Sequence, residues 1–290
     1  MMKGYFIYNK FLNTEKFGLL RKAFSDEANL IGMDLAFMDN SKSIQMIYSN
    51  NLDKRDFVLF WDKDIKLARI LEDEGYLVIN SSKAIEVCDD KSKTYINLYN
   101  TGIRQPLTII APLIFYGTID TDSDFLDFSV SKLGFPMIIK ECFGSFGEQV
   151  YLVNNKDELI KQVKKIGTKP FVLQEFIKTS FGRDVRIEVI GNEVVASVYR
   201  ENKNNDFRAN ITNGAIARVY MPSDKQVEMA LKVCATLNLD FAGVDILFGD
   251  DDEPILCEVN SNAYPLNVQS ITGVNIINKT LMYIKNKVLC

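Results

Sequence analysis

The chain has 290 residues, 47% of them hydrophobic, which is enough apolar material for two or three small domains with buried cores. Its formal net charge is −4, so it lacks the broad basic field that binds nucleic acid or anionic membrane surfaces. It contains no histidine, which excludes histidine-based nucleophilic triads and histidine zinc sites. Any chemistry must therefore use carboxylates, lysines, arginines and backbone amides.

The five cysteines are scattered without a C-x-x-C pair, which is typical of buried thiols in a reducing cytosol. The first residues indicate a short strand and lack the long apolar centre of a secretory signal. The longest nearly apolar stretch, 106–117, is broken by Pro112 and is too short to span a bilayer. We therefore expect a cytoplasmic protein.

Residues 1–88 predict a small α/β domain. Strand and helix patterns alternate along it, in the order strand 4–8, helix 17–28, strand 57–61, helix 63–74 and strand 76–80. Such alternation favours a parallel sheet with helices on its faces.

Residues 89–172 and 173–290 predict two further units of mixed α and β structure. The first contains a helix from Asp90 towards Gly102, an extended segment at 106–112, a helix at 125–133, strands at 137–141 and 149–153, and a helix capped by Asn155 and Glu158. A strand at 171–176 leads into the second. There we expect a hairpin of 184–190 with 193–200, a helix opened by Ser223 and Gln226, strands at 242–248 and 254–259, and a final helix.

A glycine-bearing loop follows the strand that contains Lys140. Gly144, Ser145 and Gly147 lie in this loop, where backbone amides can approach phosphate oxygens, and Lys140 adds a positive charge. An ordinary hairpin is the alternative interpretation. The next strand ends in the polar run 174–178, QEFIK, which is compatible with a nucleoside pocket or with the solvated end of an edge strand.

Two strands near the C-terminus carry the most informative polar residues. Asp245 lies among apolar neighbours in GVDIL, and Glu258 and Asn260 share one face of the strand in CEVN. Buried carboxylates must be paired or bind a metal, and two carboxylates with an amide oxygen suit magnesium. A salt bridge from Asp245 to an arginine or lysine is the alternative. A shared metal site requires antiparallel strands with Asp245 opposite Glu258, since a slip of one residue would send Glu258 to the other face.

A basic group completes the candidate site. Its members are Arg186 on a strand, then Arg200 and Arg208, with Asn210 two residues on. Their guanidinium groups are suited to carboxylate or phosphoryl oxygens. A solvated cationic face is the alternative. Lys91 lies among Asp89, Asp90 and Lys93, where a surface charge cluster is the default interpretation.

Taken in order, these segments resemble the ATP-grasp superfamily and, within it, the RimK-like amino-acid ligases. The matching landmarks are Asp90-Lys91, Lys140 with the glycine loop, QEFIK, Asp184 and Arg186 in GRDVR, the run from Asp206 to Asn210, GVDIL and EVN. The likeness extends from about Asp90 to the end of the chain. The preceding residues match only as a small α/β lobe.

The resemblance implies an ATP-grasp fold, in which two α+β subdomains clasp ATP, after a small α/β N-terminal domain. It implies a nucleotide site formed by Lys91, Lys140, Gly144, Ser145, Gly147, Gln174, Glu175, Ile177 and Asp184. It also implies that Asp245, Glu258 and Asn260 hold Mg²⁺ or Mn²⁺, and that Arg186, Arg208 and Asn210 lie at the reacting groups.

The implied activity is an ADP-forming carboxylate–amine ligase that depends on ATP and magnesium and works through an acyl phosphate. Addition of an amino acid such as glutamate to a peptide or small-molecule carboxylate is the family's commonest reaction. A non-catalytic nucleotide-binding regulator is the alternative, and a phosphotransferase with a stable product is a third reading. The expected partners are ATP and the two substrates, without nucleic acid or membrane, and a homo-oligomer is left open.

Two segments depart from the family pattern. Gln149 stands where the glycine loop usually carries a further glycine, which affects closure of the loop. Residues Ser261–Pro265 replace a small-residue Pro-Gly stretch that lies beside the acceptor in such folds.

Overall fold

The computed structural model of the protein describes residues 1–120, 124–144, 147–211 and 214–289. The N-terminal sheet contains β1 (Lys3–Tyr8), β2 (Asp34–Asp39), β3 (Phe57–Trp61) and β4 (Val78–Ile79), with helices α1 (Glu15–Leu30), α2 (Asn40–Tyr48) and α3 (Ile65–Asp73). Its strands are parallel in the order β2-β1-β3-β4, as the alternating pattern predicted. β3 is buried along its whole length because both faces of the sheet are covered.

Helices α4 (Ser82–Asp89) and α5 (Lys91–Leu98) lead into a second, antiparallel sheet, called here the central sheet. Its strands are β5 (Thr108–Ile110), β6 (Met137–Glu141), β7 (Val150–Val153) and β8 (Phe171–Glu175), in the order β5-β8-β6-β7. Helices α6 (Asp124–Leu133) and α7 (Lys156–Ile166) accompany it. The predicted cap of α7 is confirmed, since the Asn155 side chain accepts a hydrogen bond from the Glu158 backbone N–H at 3.0 Å.

The C-terminal sheet is antiparallel and has five strands. They are β9 (Arg183–Ile190), β10 (Glu193–Glu201), β11 (Ile216–Val219), β12 (Phe241–Phe248) and β13 (Pro254–Asn260), in the order β11-β10-β9-β12-β13. Helices α8 (Asp224–Thr236), α9 (Pro265–Thr272) and α10 (Ile276–Leu289) complete the described chain. The predicted hairpin of β9 and β10 and the capping box of Ser223 and Gln226 are both present.

Several elements escaped the sequence analysis. β2, α2, α4 and β11 were not predicted, and the expected single final helix is two helices, α9 and α10. β11 is an edge strand and is largely exposed, so it lacks the alternation of apolar and polar residues that marks a half-buried strand. The break after α9 comes at Gly273, whose φ of 73° lies in the left-handed region that favours glycine at a helix end.

Asn80 joins the N-terminal and C-terminal sheets. Its buried side chain donates to the carbonyls of Phe241 (2.9 Å) and Ser261 (3.0 Å) and accepts from the backbone N–H groups of Asp240 (2.6 Å) and Phe241 (3.3 Å). Beside it, the rings of Trp61 and Phe241 stack with centroids 5.5 Å apart. The two sheets are therefore tied by a saturated polar contact within an apolar interface.

Across residues 1–120, 124–144, 147–211 and 214–289, no helix has the length and apolar character needed to cross a bilayer.

Candidate active site

A small pocket lies between the central and C-terminal sheets and brings most of the predicted site residues together. Its volume is about 110 Å³. The predicted residues that line it are Lys91, Lys140, Gly144, Gly147, Gln174, Glu175, Ile177, Asp184, Arg208, Asn210, Asp245 and Glu258. Arg186 and Asn260 instead line a neighbouring large cavity of about 470 Å³, which shares Asn210, Asp245 and Glu258 with the small pocket. Ser145 lies outside the described residues.

The central sheet presents Lys140 to the small pocket. Met137 and Ile139 on one face of β6 enter the apolar core, so Ile138 and Lys140 on the other face line the pocket. Gln174 pairs with Ile138 in the register, and its side-chain amide donates to Thr108 Oγ1 at 2.8 Å. The positive charge of Lys140 also reaches Cys257: burial raises the pKa of this thiol to about 11, and Lys140 opposes the rise.

The register of β12 and β13 agrees with the prediction. Asp245 lies opposite Glu258, and Gly243 lies opposite Asn260. The register then shifts, so that Ile246 pairs with Leu256 and Cys257 is the extra residue of a β-bulge. The bulge lets Cys257 and Glu258 both line the small pocket while Leu256 enters the apolar core.

Asp245 takes part in a buried network of charged side chains. Its Oδ2 accepts from Arg186 Nη2 at 2.8 Å, and its Oδ1 lies 2.9 Å from Arg200 Nη2. Burial opposes ionisation of Asp245, but the two guanidinium groups outweigh burial and hold its pKa below the ordinary range. The salt-bridge alternative for Asp245 is therefore realised in this structure, and the partners are two arginines.

Arg200 connects Asp245 to Asp184. Its Nε and Nη2 donate to the two carboxylate oxygens of Asp184, each at 2.6 Å. Asp184 is thus a partner of Arg200 at the edge of the small pocket, and both of its oxygens are engaged. The sequence analysis placed Arg200 in the basic group but gave it no role in the site, although the hairpin register, which pairs Arg200 with Asp184, indicated one.

Gly243 allows Arg186 to lie across β12. A Cβ atom at this position would come within 2.9 Å of Arg186 Nη1 and within 2.6 Å of Ala263 Cβ. Only glycine leaves room for the guanidinium to reach both Asp245 and Glu188, whose Oε1 is 3.8 Å from Arg186 Nη1. Glu188 is itself buried, and burial raises its pKa to about 7 in spite of the attraction of Arg186.

Lys91 is not part of a surface charge cluster. Asp90 caps α5 by accepting from the backbone N–H of Ser92 at 2.9 Å, and the Lys91 N–H donates to the Cys142 carbonyl at 3.0 Å. The Lys91 side chain is only 14% exposed, and its Nζ lies 3.5 Å from Glu258 Oε1. The default interpretation of Lys91 from the sequence was wrong, because the cap turns this residue towards the pocket.

Arg208 bridges the glycine loop and the C-terminal part of the chain. Its Nη1 donates to the Gly147 carbonyl at 2.8 Å, and its Nη2 donates to Asp206 Oδ2 at 2.8 Å. Gln149 covers Gly144, since a Cβ on Gly144 would lie 2.3 Å from Gln149 Oε1. The position that departs from the family pattern therefore packs against the glycine loop itself.

The described residues predicted to bind the metal offer suitable ligand atoms, but they do not form an acidic cluster. Asp245, Glu258 and Asn260 supply hard oxygen donors at adjacent register positions, which is the ligand type that magnesium prefers. Within the part of the chain that the structure describes, no group of three or more Cys, Asp or Glu side chains is placed to hold a metal ion. The donor set thus fits magnesium only if other oxygens, such as phosphate or water, complete the shell.

The whole fold has a counterpart among solved structures. A D-alanine–D-alanine ligase from Bacillus anthracis, solved with ATP, aligns with a TM-score of 0.77 over 100% of this chain and 98% of its own, at 19% identity. At that identity the likeness concerns the fold alone, and the family model that matches this chain names the fold as ATP-grasp.

The family follows from the sequence match. The model of the RimK-like ATP-grasp domain matches residues 88–284, and the chain belongs to this family. A ribosomal protein bS6–L-glutamate ligase from Escherichia fergusonii is 33% identical over 214 residues, which cover 73% of this chain and 68% of the relative. An uncharacterized protein of Mycoplasma pneumoniae is 35% identical over 214 residues, covering 72% of this chain and 73% of its own.

Proposed function

We propose that the protein is an ATP- and magnesium-dependent carboxylate–amine ligase that joins an amino acid to a carboxylate through an acyl phosphate. The observation that carries the proposal is the pairing of Asp245 with Glu258 where the small pocket meets the large cavity. This junction is the place where phosphate oxygens and a substrate carboxylate would have to meet. Similarity to a relative named as an L-glutamate ligase supports the reaction class.

The small pocket supports nucleotide binding. Lys91 and Lys140 supply positive charge at the pocket, and the backbone of the glycine loop can approach phosphate oxygens. Glu175 and Ile177 follow at the end of β8, where an acidic side chain can accept from ribose hydroxyls. We assign Gln174 to the wall of this pocket, because its side-chain amide is held by Thr108.

Magnesium would be held by Asp245, Glu258 and Asn260, and when bound it would neutralise phosphate charge. Glu258 would exchange its contact with Lys91 for the cation, and Lys91 would then be released towards a phosphate. Arg186 and Arg200 compensate the charge of Asp245 in the structure and would face the acyl phosphate oxygens, where charge develops during transfer. Arg208 would hold the glycine loop closed through Gly147.

The test is a phosphate-release screen of amino acids and candidate carboxylates with ATP and magnesium, with hydroxylamine added to the productive combinations. A ligase gives ADP and phosphate only with both substrates, and hydroxylamine converts the acyl phosphate into a hydroxamate. A stable phosphorylated product without hydroxamate would establish the phosphotransferase reading. If the protein binds ATP but turns over none of the combinations, the result supports a non-catalytic nucleotide-binding regulator.

A further inference from the structure

Helix α1 forms one wall of the large cavity. Four of its residues line the cavity, namely Lys16, Phe17, Leu20 and Arg21. Their spacing places them on one face of the helix, where two cations flank two apolar side chains. The described walls of the small pocket include none of these four residues. The face of α1 therefore lies apart from the junction between the large cavity and the small pocket.

The charged ends of Lys16 and Arg21 lie on aromatic rings that belong to the cavity wall. Lys16 Nζ is 4.2 Å from the centre of the Tyr264 ring, and Arg21 Cζ is 4.5 Å from the centre of the Tyr8 ring. Tyr8 and Tyr264 both line the cavity. The rings attract the cations and hold their charged groups at the cavity, without neutralising them.

The guanidinium group of Arg21 is available to a ligand. Among the described residues, its polar and ring contacts are the Tyr8 ring and Asn13 Oδ1, which accepts from Nη2 at 3.3 Å, and neither is acidic. The Nε and Nη1 atoms of Arg21 are not among the buried unpaired atoms of the described chain, so they keep accessible surface. Most of the guanidinium fork can therefore donate to an anion in the cavity.

The acids of the cavity wall do not supply that anion. Each of the four acids on the described wall has a partner elsewhere: Asp62 accepts from Asn9, Asp89 pairs with Lys63, Asp245 pairs with Arg186, and Glu258 pairs with Lys91. The face of α1 thus differs from the rest of the wall, where cations and acids compensate each other.

Lys16 adds a second positive charge in a partly desolvated position. Burial lowers the pKa of its ammonium group. A bound anion would favour the charged form and would offset this cost of burial. Two neighbouring cations therefore form a local site for an anion, although the formal net charge of the chain is −4.

We propose that Arg21, together with Lys16, binds the second carboxylate of a dicarboxylate substrate, remote from the group that reacts. A planar guanidinium matches a carboxylate with two parallel hydrogen bonds. The cavity volume of about 470 Å³ lies within the range of small-molecule sites, roughly 300–1,000 Å³. Arg200 lines both cavities and marks the reacting end. The inference rests on the proposed function, because that function identifies the junction as the place of reaction.

The experiment is calorimetric titration of the full chain, without ATP, with L-glutamate, L-aspartate, succinate and glutarate. Each diacid is compared with its monoamide, namely L-glutamine, L-asparagine, succinamate and glutaramate, in which a neutral group of similar shape replaces one carboxylate. The variants are Arg21→Gln and Arg21→Lys. The matched control is Lys22→Gln, which removes a positive charge from the next residue of α1, where the side chain is 71% exposed and pairs with Asp26.

We expect at least one diacid to bind the wild type at least about tenfold more tightly than its monoamide, because the carboxylate accepts charge-assisted hydrogen bonds that the amide cannot replace. Arg21→Gln should abolish this preference, Arg21→Lys should keep part of it, and Lys22→Gln should keep all of it. An unchanged preference in Arg21→Gln would overturn the inference. Equal binding of every diacid and its monoamide, or failure of every diacid to bind, would also overturn it, and these comparisons use the wild type alone.

The probes also identify which substrate carries the second carboxylate. A preference confined to glutamate and aspartate assigns it to the amine substrate, whereas a preference shared by succinate or glutarate assigns it to the carboxylate substrate. A preference that depends on Arg21 without ATP-dependent product would keep the inference and reject the ligase. Product formation with an unchanged preference in Arg21→Gln would do the reverse.

Discussion

Asp245 and Glu258 lie opposite each other on adjacent strands, yet they have different electrostatic surroundings. Asp245 is buried and compensates two guanidinium groups, whereas the Glu258 side chain is 32% exposed and its ion pair is with Lys91 at 3.5 Å. The two carboxylates of one predicted metal site should therefore respond differently to substitution.

Glu258→Gln is expected to raise the magnesium concentration needed for phosphate release while leaving the free energy of unfolding near the wild-type value. Asp245→Asn is expected to lower that free energy by about 3–5 kcal/mol, because buried Arg186 loses its principal counter-charge and Arg200 is left with Asp184 alone. Magnesium titrations of phosphate release and urea unfolding measure the two effects. Glu253→Gln, an exposed acid paired with Lys225, is the control. An unchanged magnesium requirement in Glu258→Gln would remove Glu258 from the metal site.

Lys140→Met should reduce kcat/KM about 10²- to 10³-fold, which is the usual cost of removing one charge-assisted contact to a transition-state oxyanion. Methionine keeps the apolar stem of the side chain, so the central sheet should remain folded. The control is Lys169→Met, which removes an exposed lysine that precedes β8 and pairs with Glu141 of β6 at 2.8 Å. Steady-state phosphate release measures both variants, and similar losses in the two would argue against a specific contact from Lys140.

Asn80→Ala should lower the free energy of unfolding by about 2–4 kcal/mol, because the buried carbonyls and N–H groups of the joining network lose their partner. Asn97→Ala, on the exposed face of α5, should change it by no more than about 0.5 kcal/mol. Urea unfolding compares the two. Equal stabilities would show that the joining network contributes nothing to the fold.

Glu188 should make stability depend on pH. Its pKa is about 7 in the folded protein and roughly 4.3 in the unfolded chain. Between these values the folded state holds the proton more tightly, so the free energy of unfolding falls as pH rises from about 4.3 to 7. Glu188→Gln cannot titrate, and its stability relative to the wild type should therefore increase by about 1–3 kcal/mol between pH 5 and 7.5.

Urea unfolding at several pH values tests this expectation, with the exposed Glu193→Gln as the control. Parallel pH profiles for the wild type and Glu188→Gln would mean that Glu188 is ionised throughout the range.

The sequence was informative where local rules determine geometry. The sequence predicted the pairing of Asp245 with Glu258, although a constant index sum carried back from the turn would pair Asp245 with Cys257, so the bulge is needed to realise it. Helix caps such as Asn155 follow from side-chain chemistry. Relations between distant segments were not accessible in this way. The contact of Arg200 with Asp245 joins strands that pair through β9, and the position of Asp62 in a cavity depends on packing between two sheets.

The bulge at Cys257 illustrates the same limit on a smaller scale. Nothing in ILCEVN marks an extra residue, because the apolar alternation there is compatible with either register. The bulge allows Leu256 and Val259 to lie in the core while Glu258 faces the pocket. Sequence patterns thus identify which residues form the site, and tertiary packing determines the orientation of their side chains.

The Asn80 contact holds the N-terminal and C-terminal sheets together, whereas the central sheet lies outside this contact. The described walls of the large cavity come from the N-terminal sheet and α1, from α4 and from the C-terminal part of the chain, and none of them belongs to the central sheet. In the proposed ligase, a displacement of the central sheet would therefore admit or release the nucleotide without reshaping the large cavity. We expect the amino acid to bind equally tightly before and after ATP, so that the order of substrate addition is random rather than compulsory.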